Sequence, residues 1–393
     1  MPLELGGSRV PRVSPVSAIS SSPHQMAGTR TVLIDLGRQT ATGARRRMRG
    51  LEGVLGHLGL DVRVIELLPR FRSRYVGRVV RAPRALGSVD VVPETLAWSP
   101  SAVRRELDRI QPGMVVCVTD RCFHPALLGP WRTYVDFVDR LSISYRDRSQ
   151  IAGSLLRRLE YRLLQRPHER FESSFRSRVD GAFAAGRADS EALGVDWLPI
   201  DSEADPRPLD QLRPPGVADT DLVFVGTLDY PPNEIAVSEL HAIWPELSSS
   251  RPGISVLVAG ARPTTRVREI CARNGWELVA DFPSVADVYQ RSRIAVAPLQ
   301  HASGLQIKVL DAAAFAVPQV VSPVVASGLD PQFPLVKCSG RFEWTAAIGR
   351  LLDDPVGARG LGEHSRRHLR QHYGLEAVAA QARVALDLGT RDR

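Results

Sequence analysis

The residues whose types and spacing point most directly to chemistry lie close together, between His301 and Pro318, in HASGLQIKVLDAAAFAVP. Ser303 is followed three positions later by Gln306, the S-x-x-Q spacing of a capping box, which predicts a helix opening at Gly304. The free N–H groups of such a helix start can hold a phosphate. Lys308 falls beside that end, and Asp311, three residues on, shares its helical face. The ammonium can meet phosphate charge while the carboxylate accepts hydrogen bonds from ribose hydroxyls. The same two residues also fit a plain surface pair worth about 0.2–0.5 kcal/mol. Lysine is rare in this chain, with Lys308 and Lys337 the only two among 51 basic residues, so a lysine in this setting stands out. The net charge of +8 is carried by arginine throughout. No basic patch interleaved with aromatics accompanies it, which argues against a nucleic-acid partner.

Around that stretch, apolar β-type runs alternate with helical segments. The first set of strands is expected at 31–36, 61–67, 113–119, 133–138, 181–185 and 197–200. A second set is expected at 221–226, 254–260, 277–281, 293–298, 318–322 and 334–338. Strands that alternate with helices predict an α/β fold of parallel sheets covered on both faces. The organisation read from this is a disordered leader at 1–29, a Rossmann-like domain at 30–200, an acidic and proline-rich linker at 201–220, a second Rossmann-like domain at 221–370, and a C-terminal helix at 371–393 packing back on the first domain. Open α/β sheets bind ligands outside the carboxyl ends of their strands, so two of them in tandem predict a site in the cleft between. No run approaches the ~20 apolar residues of a membrane span, and the first residues lack the order of a secretory signal, so the expected compartment is the cytoplasm. Cys117, Cys122, Cys271 and Cys338 show no metal-ligand spacing and read as buried free thiols.

The segment PLQHASGLQIKVLDAAAFAVPQVVSP resembles the donor-binding motif of the retaining GT-B glycosyltransferases known as group 1, in which a Glu, seven residues and a second Glu share this helix. Ser303 stands at the first acid and Asp311 at the second, so this chain is most similar to the subgroup with a small residue at the first position and a lysine where Lys308 stands. The resemblance implies that Asp311 binds the donor ribose, that Ser303 meets the sugar without a carboxylate, and that Gly304 and Lys308 serve the diphosphate. DLVFVGTLDYPPNEIAVSELHAIWPEL (221–247) is similar to the family's first donor-domain strand, glycine turn and helix, with Thr227 and Asn233 where many members carry an Arg and a Lys. That places Gly226 and Thr227 at the donor and leaves phosphate charge to Lys308, to helix N-termini and to Arg262, in the loop after the next strand.

RTYVDFVDRLSISYRDRS (132–149) resembles the back half of the family's acceptor domain, which makes Asp139 the candidate to orient the acceptor hydroxyl or take its proton. Asp136 and His124 are weaker candidates, and Asp139 also fits a helix cap. Gly43, Arg45 and Arg46 fall where the family places its acceptor loop and first helix. With Arg47 and Arg49 they point to an anionic acceptor or to peripheral contact with a membrane surface, and equally to a solvated helix face. Arg157, Arg158, Arg162 and Arg166 alternate with Ala152, Leu155, Leu156, Leu159 and Leu163 at helical spacing, the pattern of a docked amphipathic helix. The expected activity is retaining, metal-independent transfer from a nucleoside-diphosphate sugar, a co-substrate with no further cofactor. The acceptor is a small molecule of the secondary-metabolite kind, a polysaccharide precursor or a lipid-linked molecule. A nucleotide-sugar epimerase or hydrolase of the same fold, or a non-catalytic nucleotide-sugar binder, would share these features.

Overall fold

Runs such as MVVCV and VLVAG place apolar residues on both faces of a strand, which suits a sheet covered on both sides. All five residues of each of those strands are buried. The structure, a computed structural model, describes residues 12–15, 29–36, 42–67, 92–200, 211, 218–282 and 284–388. The chain divides into two compact units, Met1–Asp201 with Val378–Arg393, and Ser202–Ala377. Both are Rossmann-like, as the alternation of strands and helices predicts.

The first unit holds β1 (Arg12–Pro15), β2 (Arg30–Asp35), β3 (Asp61–Glu66), β4 (Met114–Val118), β5 (Arg132–Phe137), β6 (Gly181–Ala184) and β7 (Asp196–Trp197) in the order β1-β3-β2-β4-β5-β6-β7. Pairing is parallel except between β1 and β3. β1 corrects the expectation of an unstructured leader. The outer edge of β3 presents unpaired backbone groups, and an extended RVSP segment satisfies them; Pro15, lacking an N–H, is tolerated at such an edge. The rest of the leader and almost all of the expected linker lie outside the described residues. Alternation along the strands sends Val32, Ile34, Val115, Cys117, Val135 and Phe137 to one face with Phe171 and Phe175. Leu33, Val116, Val118 and Tyr134 go to the other face with Leu51, Leu55, Val378, Ala382 and Leu386. The last helix, Leu375–Ala385, therefore completes the first unit's core, and the Tyr134 hydroxyl donates to the Leu386 carbonyl at 2.9 Å.

The second unit is a six-stranded parallel sheet of β8 (Thr220–Val225), β9 (Val256–Gly260), β10 (Glu277–Ala280), β11 (Ser292–Ala297), β12 (Gln319–Val321) and β13 (Val336–Lys337), ordered β10-β9-β8-β11-β12-β13. The chain builds outward from β8 through β9 to β10, then returns to add β11, β12 and β13 on the other side. The strand order therefore reverses between β8 and β11, and in the first unit between β2 and β4. Ligands of doubly wound sheets bind at such switch points, beyond the carboxyl ends of the strands.

One helix departs from expectation. Leu155–Ser174 forms, but Leu155, Leu156 and Leu159 face solvent, while Leu164 and Phe171, further along, are buried. The four cysteines are buried and unpaired.

Candidate functional site

At the switch point of the second unit, two glycines bring the ends of β8 and β9 together. A Cβ on Gly260 would stand 1.7 Å from the Gly226 carbonyl oxygen, so that position accepts no side chain, and one on Gly226 would stand 2.8 Å from Asn233 Nδ2 and displace that amide. Asn233 belongs to the helix Pro231–Ser250 and donates Nδ2 to the Thr227 carbonyl at 3.0 Å. Its Oδ1 accepts from Lys308 Nζ at 2.7 Å. Lys308, Asn233 and the Gly226–Thr227 turn are thus one connected chain across the gap between β8 and β11. The ammonium also lies 4.6 Å from the centre of the Phe224 ring, beside a small cavity lined by Val223, Val225, Ala297 and Val321. Burial against this apolar wall pushes the Lys308 pKa down to about 7. Among the described residues no carboxylate pairs with it, and Asn233 is its one side-chain acceptor.

The helix that carries Lys308 is Ile307–Ala314, with Gln306 at its N-cap and no side-chain cap bond. This corrects the expected start at Gly304 with Ser303 as cap. Gly304 has φ +66°, a left-handed conformation that no α-helix contains, and Gln306 Nε2 donates instead to the Ser303 carbonyl at 3.1 Å. Ser303 and Gly304 lie in the loop after β11. Lys308 becomes the second residue of the helix, and Asp311 follows one turn later. Arg262, also at positive φ, is held by Asp229, with Nε and Nη2 donating at 2.7 and 3.0 Å. The pair ties the loop after β9 to the turn after β8 and leaves Arg262 partly neutralised.

In the first unit, Asp139 sits two residues past the end of β5. Burial raises its pKa, and the charges of Arg121 and Arg148 act against that. Asp136 lies within the sheet and is fully buried, bound through both oxygens to Arg47 Nε and Nη2 at 2.8 and 2.9 Å. Arg47 also donates to the Pro199 carbonyl at 2.7 Å. Both are therefore core residues, and one member of the expected basic cluster is removed from the surface. Arg45 and Arg49 remain exposed and Arg46 half-exposed; with Gly43 they ride on the helix Thr42–His57, which follows β2. His124 Nδ1 accepts from the Ala126 amide at 3.1 Å and caps a short turn, and burial lowers its pKa.

Residues 219–354 match the family described as Glycosyl transferases group 1. The chain carries a group 1 glycosyltransferase domain and is a glycosyltransferase. No curated protein matches its sequence. Among solved structures, sucrose-phosphate synthase from Thermosynechococcus elongatus is similar over 91% of this chain and 99% of its own, with a TM-score of 0.65 and 14% identity. The α,α-trehalose 6-phosphate synthase of Burkholderia multivorans is similar over 92% and 100%, with a TM-score of 0.61 and 14% identity. HepE from Anabaena, solved with UDP, is similar over 92% and 100%, with a TM-score of 0.58 and 11% identity. At these identities the likeness establishes the fold, GT-B, and nothing finer.

The glycosyltransferase holds one further constellation, at the carboxyl end of β4, that its sequence did not reveal. Thr119, a non-glycine residue at φ +77°, turns the chain sharply there. Next to it, Asp120 Oδ2 meets His168 Nδ1 at 2.5 Å, and Glu94 Oε2 meets Nε2 of the same ring at 3.2 Å. Tyr145 donates its hydroxyl to Glu94 at 2.5 Å. Burial opposes a charge on His168, yet Asp120 and Glu94 outweigh it and push the pKa up to about 10. Arg121 Nε, beside this group, is buried without a hydrogen-bond partner. Glu94 and His168 are 74 positions apart, so no local spacing could have joined them. The described residues contain no His, Cys, Asp or Glu group able to hold a metal, and no helix long and apolar enough to cross a membrane.

Proposed function

We propose that this glycosyltransferase moves a sugar from a nucleoside-diphosphate donor to an acceptor hydroxyl, with retention of anomeric configuration and without a metal ion. The observation that carries the reading is the connection from Lys308 through Asn233 to the Gly226–Thr227 turn. It sets an ammonium with unused donors beside a glycine turn and a helix start, at the switch point of a parallel sheet. A diphosphate seated there is met by Lys308 and by the backbone amides that open the helix Ile307–Ala314. Asp311 accepts from the ribose hydroxyls, and Ser303 and Gly304 border the sugar. Protein cations and amide dipoles then stabilise the charge that develops on the leaving diphosphate.

The acceptor oxygen bonds to the anomeric carbon on the face the diphosphate leaves, while the carbon–oxygen bond to phosphate breaks. Asp139 takes the hydroxyl proton, and a carboxylate whose affinity for protons is raised by burial suits that task. Arg45, Arg46, Gly43 and His124 border the acceptor, a small molecule or a lipid-linked one. HepE was solved with UDP-glucose, which supports a nucleotide sugar as donor. The test is incubation of the purified protein with UDP-, GDP-, dTDP- and ADP-sugars and an acceptor panel, with product configuration read by NMR. Retained configuration and loss of turnover in Lys308→Ala are expected; full turnover in that variant would overturn the assignment of the site.

A further inference from the structure

The helix Leu155–Ser174 has two apolar faces with opposite fates. Toward its C-terminal end, Phe171 enters the main core, while Leu164 packs with Leu141 and Tyr145 of the neighbouring helix Leu141–Ile151. His168 anchors that half to Asp120 and Glu94. Leu155 lies 13 residues before His168, or about 20 Å along the axis at 1.5 Å per residue. The first half of the helix therefore forms, with the end of Leu141–Ile151, the tip of a helical hairpin that lies well away from His168. On that tip Leu155, Leu156 and Leu159 are 79%, 83% and 56% exposed.

The charge around these leucines is one-sided. From Gly153 to Arg166 there are four arginines and a single acid, Glu160. Leu155, Leu159 and Leu163 form one row at four-residue spacing, and Arg158, Arg162 and Arg166 form the adjacent row, three residues ahead. Arg157, Arg158, Arg162 and Arg166 are exposed. An apolar ridge bordered by a row of cations matches a bilayer interface, where leucines enter the acyl boundary and arginines meet lipid phosphates. A ridge of three leucines falls far short of the about 800 Å² per partner of a stable protein interface.

We propose that the tip formed by Leu155, Leu156, Leu159, Arg158 and Arg162 docks the protein on an anionic lipid bilayer. The inference stands apart from the transfer reaction, since docking needs neither donor nor acceptor. The experiment is co-sedimentation of the full chain with vesicles of phosphatidylglycerol and phosphatidylcholine, beside vesicles of phosphatidylcholine alone. Binding to the anionic vesicles that weakens with salt is expected, with little on the neutral ones. Leu155→Ser, Leu156→Ser and Leu159→Ser together should lower the partition coefficient at least tenfold. Arg158→Gln with Arg162→Gln should lower it about 25-fold, since about 1 kcal/mol per basic residue corresponds to fivefold each. Both variants should keep the parent's thermal midpoint and its binding of a nucleoside diphosphate. Parent protein that ignores anionic vesicles, or a leucine variant that binds them as well as the parent, overturns the proposal. So does a parent dimer in sedimentation velocity that the leucine variant breaks, because the ridge would then be an interface between copies.

Discussion

Two buried basic side chains, His168 in the first unit and Lys308 in the second, lie near the carboxyl edge of their sheets and are treated in opposite ways. In the first unit His168 lies between Asp120 and Glu94, and its pKa is pushed up to about 10. In the second, Lys308 faces an aromatic ring and an aliphatic wall with a single amide oxygen for company, and its pKa is pushed down to about 7. The first cation already has its counter-charges and serves the fold. The second has none among the described residues, as the proposed diphosphate site requires. The same scaffold thus builds a finished electrostatic node at one switch point and an open one at the other.

The sharpest way to break this comparison is to remove each base in turn and follow stability. His168→Ala leaves Asp120 and Glu94 buried without their cation, and a loss of about 3–5 kcal/mol by denaturant titration is expected. Because the folded pKa of His168 lies above its ordinary value, its contribution is fully present below about pH 6.5 and is lost as pH rises through about 10. The gap between parent and variant should therefore close over that window; a gap that stays constant would mean the ring is held neutral. Lys308→Met should leave stability within about 1 kcal/mol of the parent, since it removes one hydrogen bond and no buried counter-charge. Its effect should appear in donor affinity, with a weakening of about 10- to 100-fold by calorimetry, the equivalent of about 1.5–3 kcal/mol for a hydrogen bond to a charged group. A Lys308→Met protein that unfolds easily yet binds donor normally would reverse the roles given to the two bases.

The smallest effect concerns pH. A bound diphosphate favours the protonated lysine, so nucleoside-diphosphate affinity should be flat below about pH 7 and fall above it by up to tenfold per unit. In Lys308→Met the slope should vanish; an unchanged slope would assign the titration to another group.

What could be read from the residues differs along the chain for physical reasons. Strands such as 114–118 and 256–260 were legible because burial on both faces imposes an unbroken apolar run. Lys308 was legible through its rarity and its place after Gly304. The helix start was misread because Ser303 and Gln306 have the spacing of a capping box, whereas the left-handed backbone at Gly304 belongs to the packing of that loop, where a Cβ on Gly328 would come within 2.5 Å of the Gly304 carbonyl oxygen. Asn233 stood out only as a missing cation, although its amide is what joins Lys308 to the glycine turn. Arg47 looked like its neighbours in an arginine run, and only the tertiary structure brings it to Asp136, 89 positions away. The His168 node was invisible because Glu94, Asp120 and His168 come from separate segments.

The closing helix of the chain carries a consequence for how the protein is made. Val378, Ala382 and Leu386 fill the core beneath β2, β4 and β5, while the whole of Ser202–Ala377 forms the other unit. The second unit is contiguous and can fold as soon as its last residue leaves the ribosome. The first begins synthesis earlier yet cannot close its hydrophobic layer until Leu388 has emerged. A chain that stalls anywhere after the second unit would release a finished second unit attached to an open, aggregation-prone sheet.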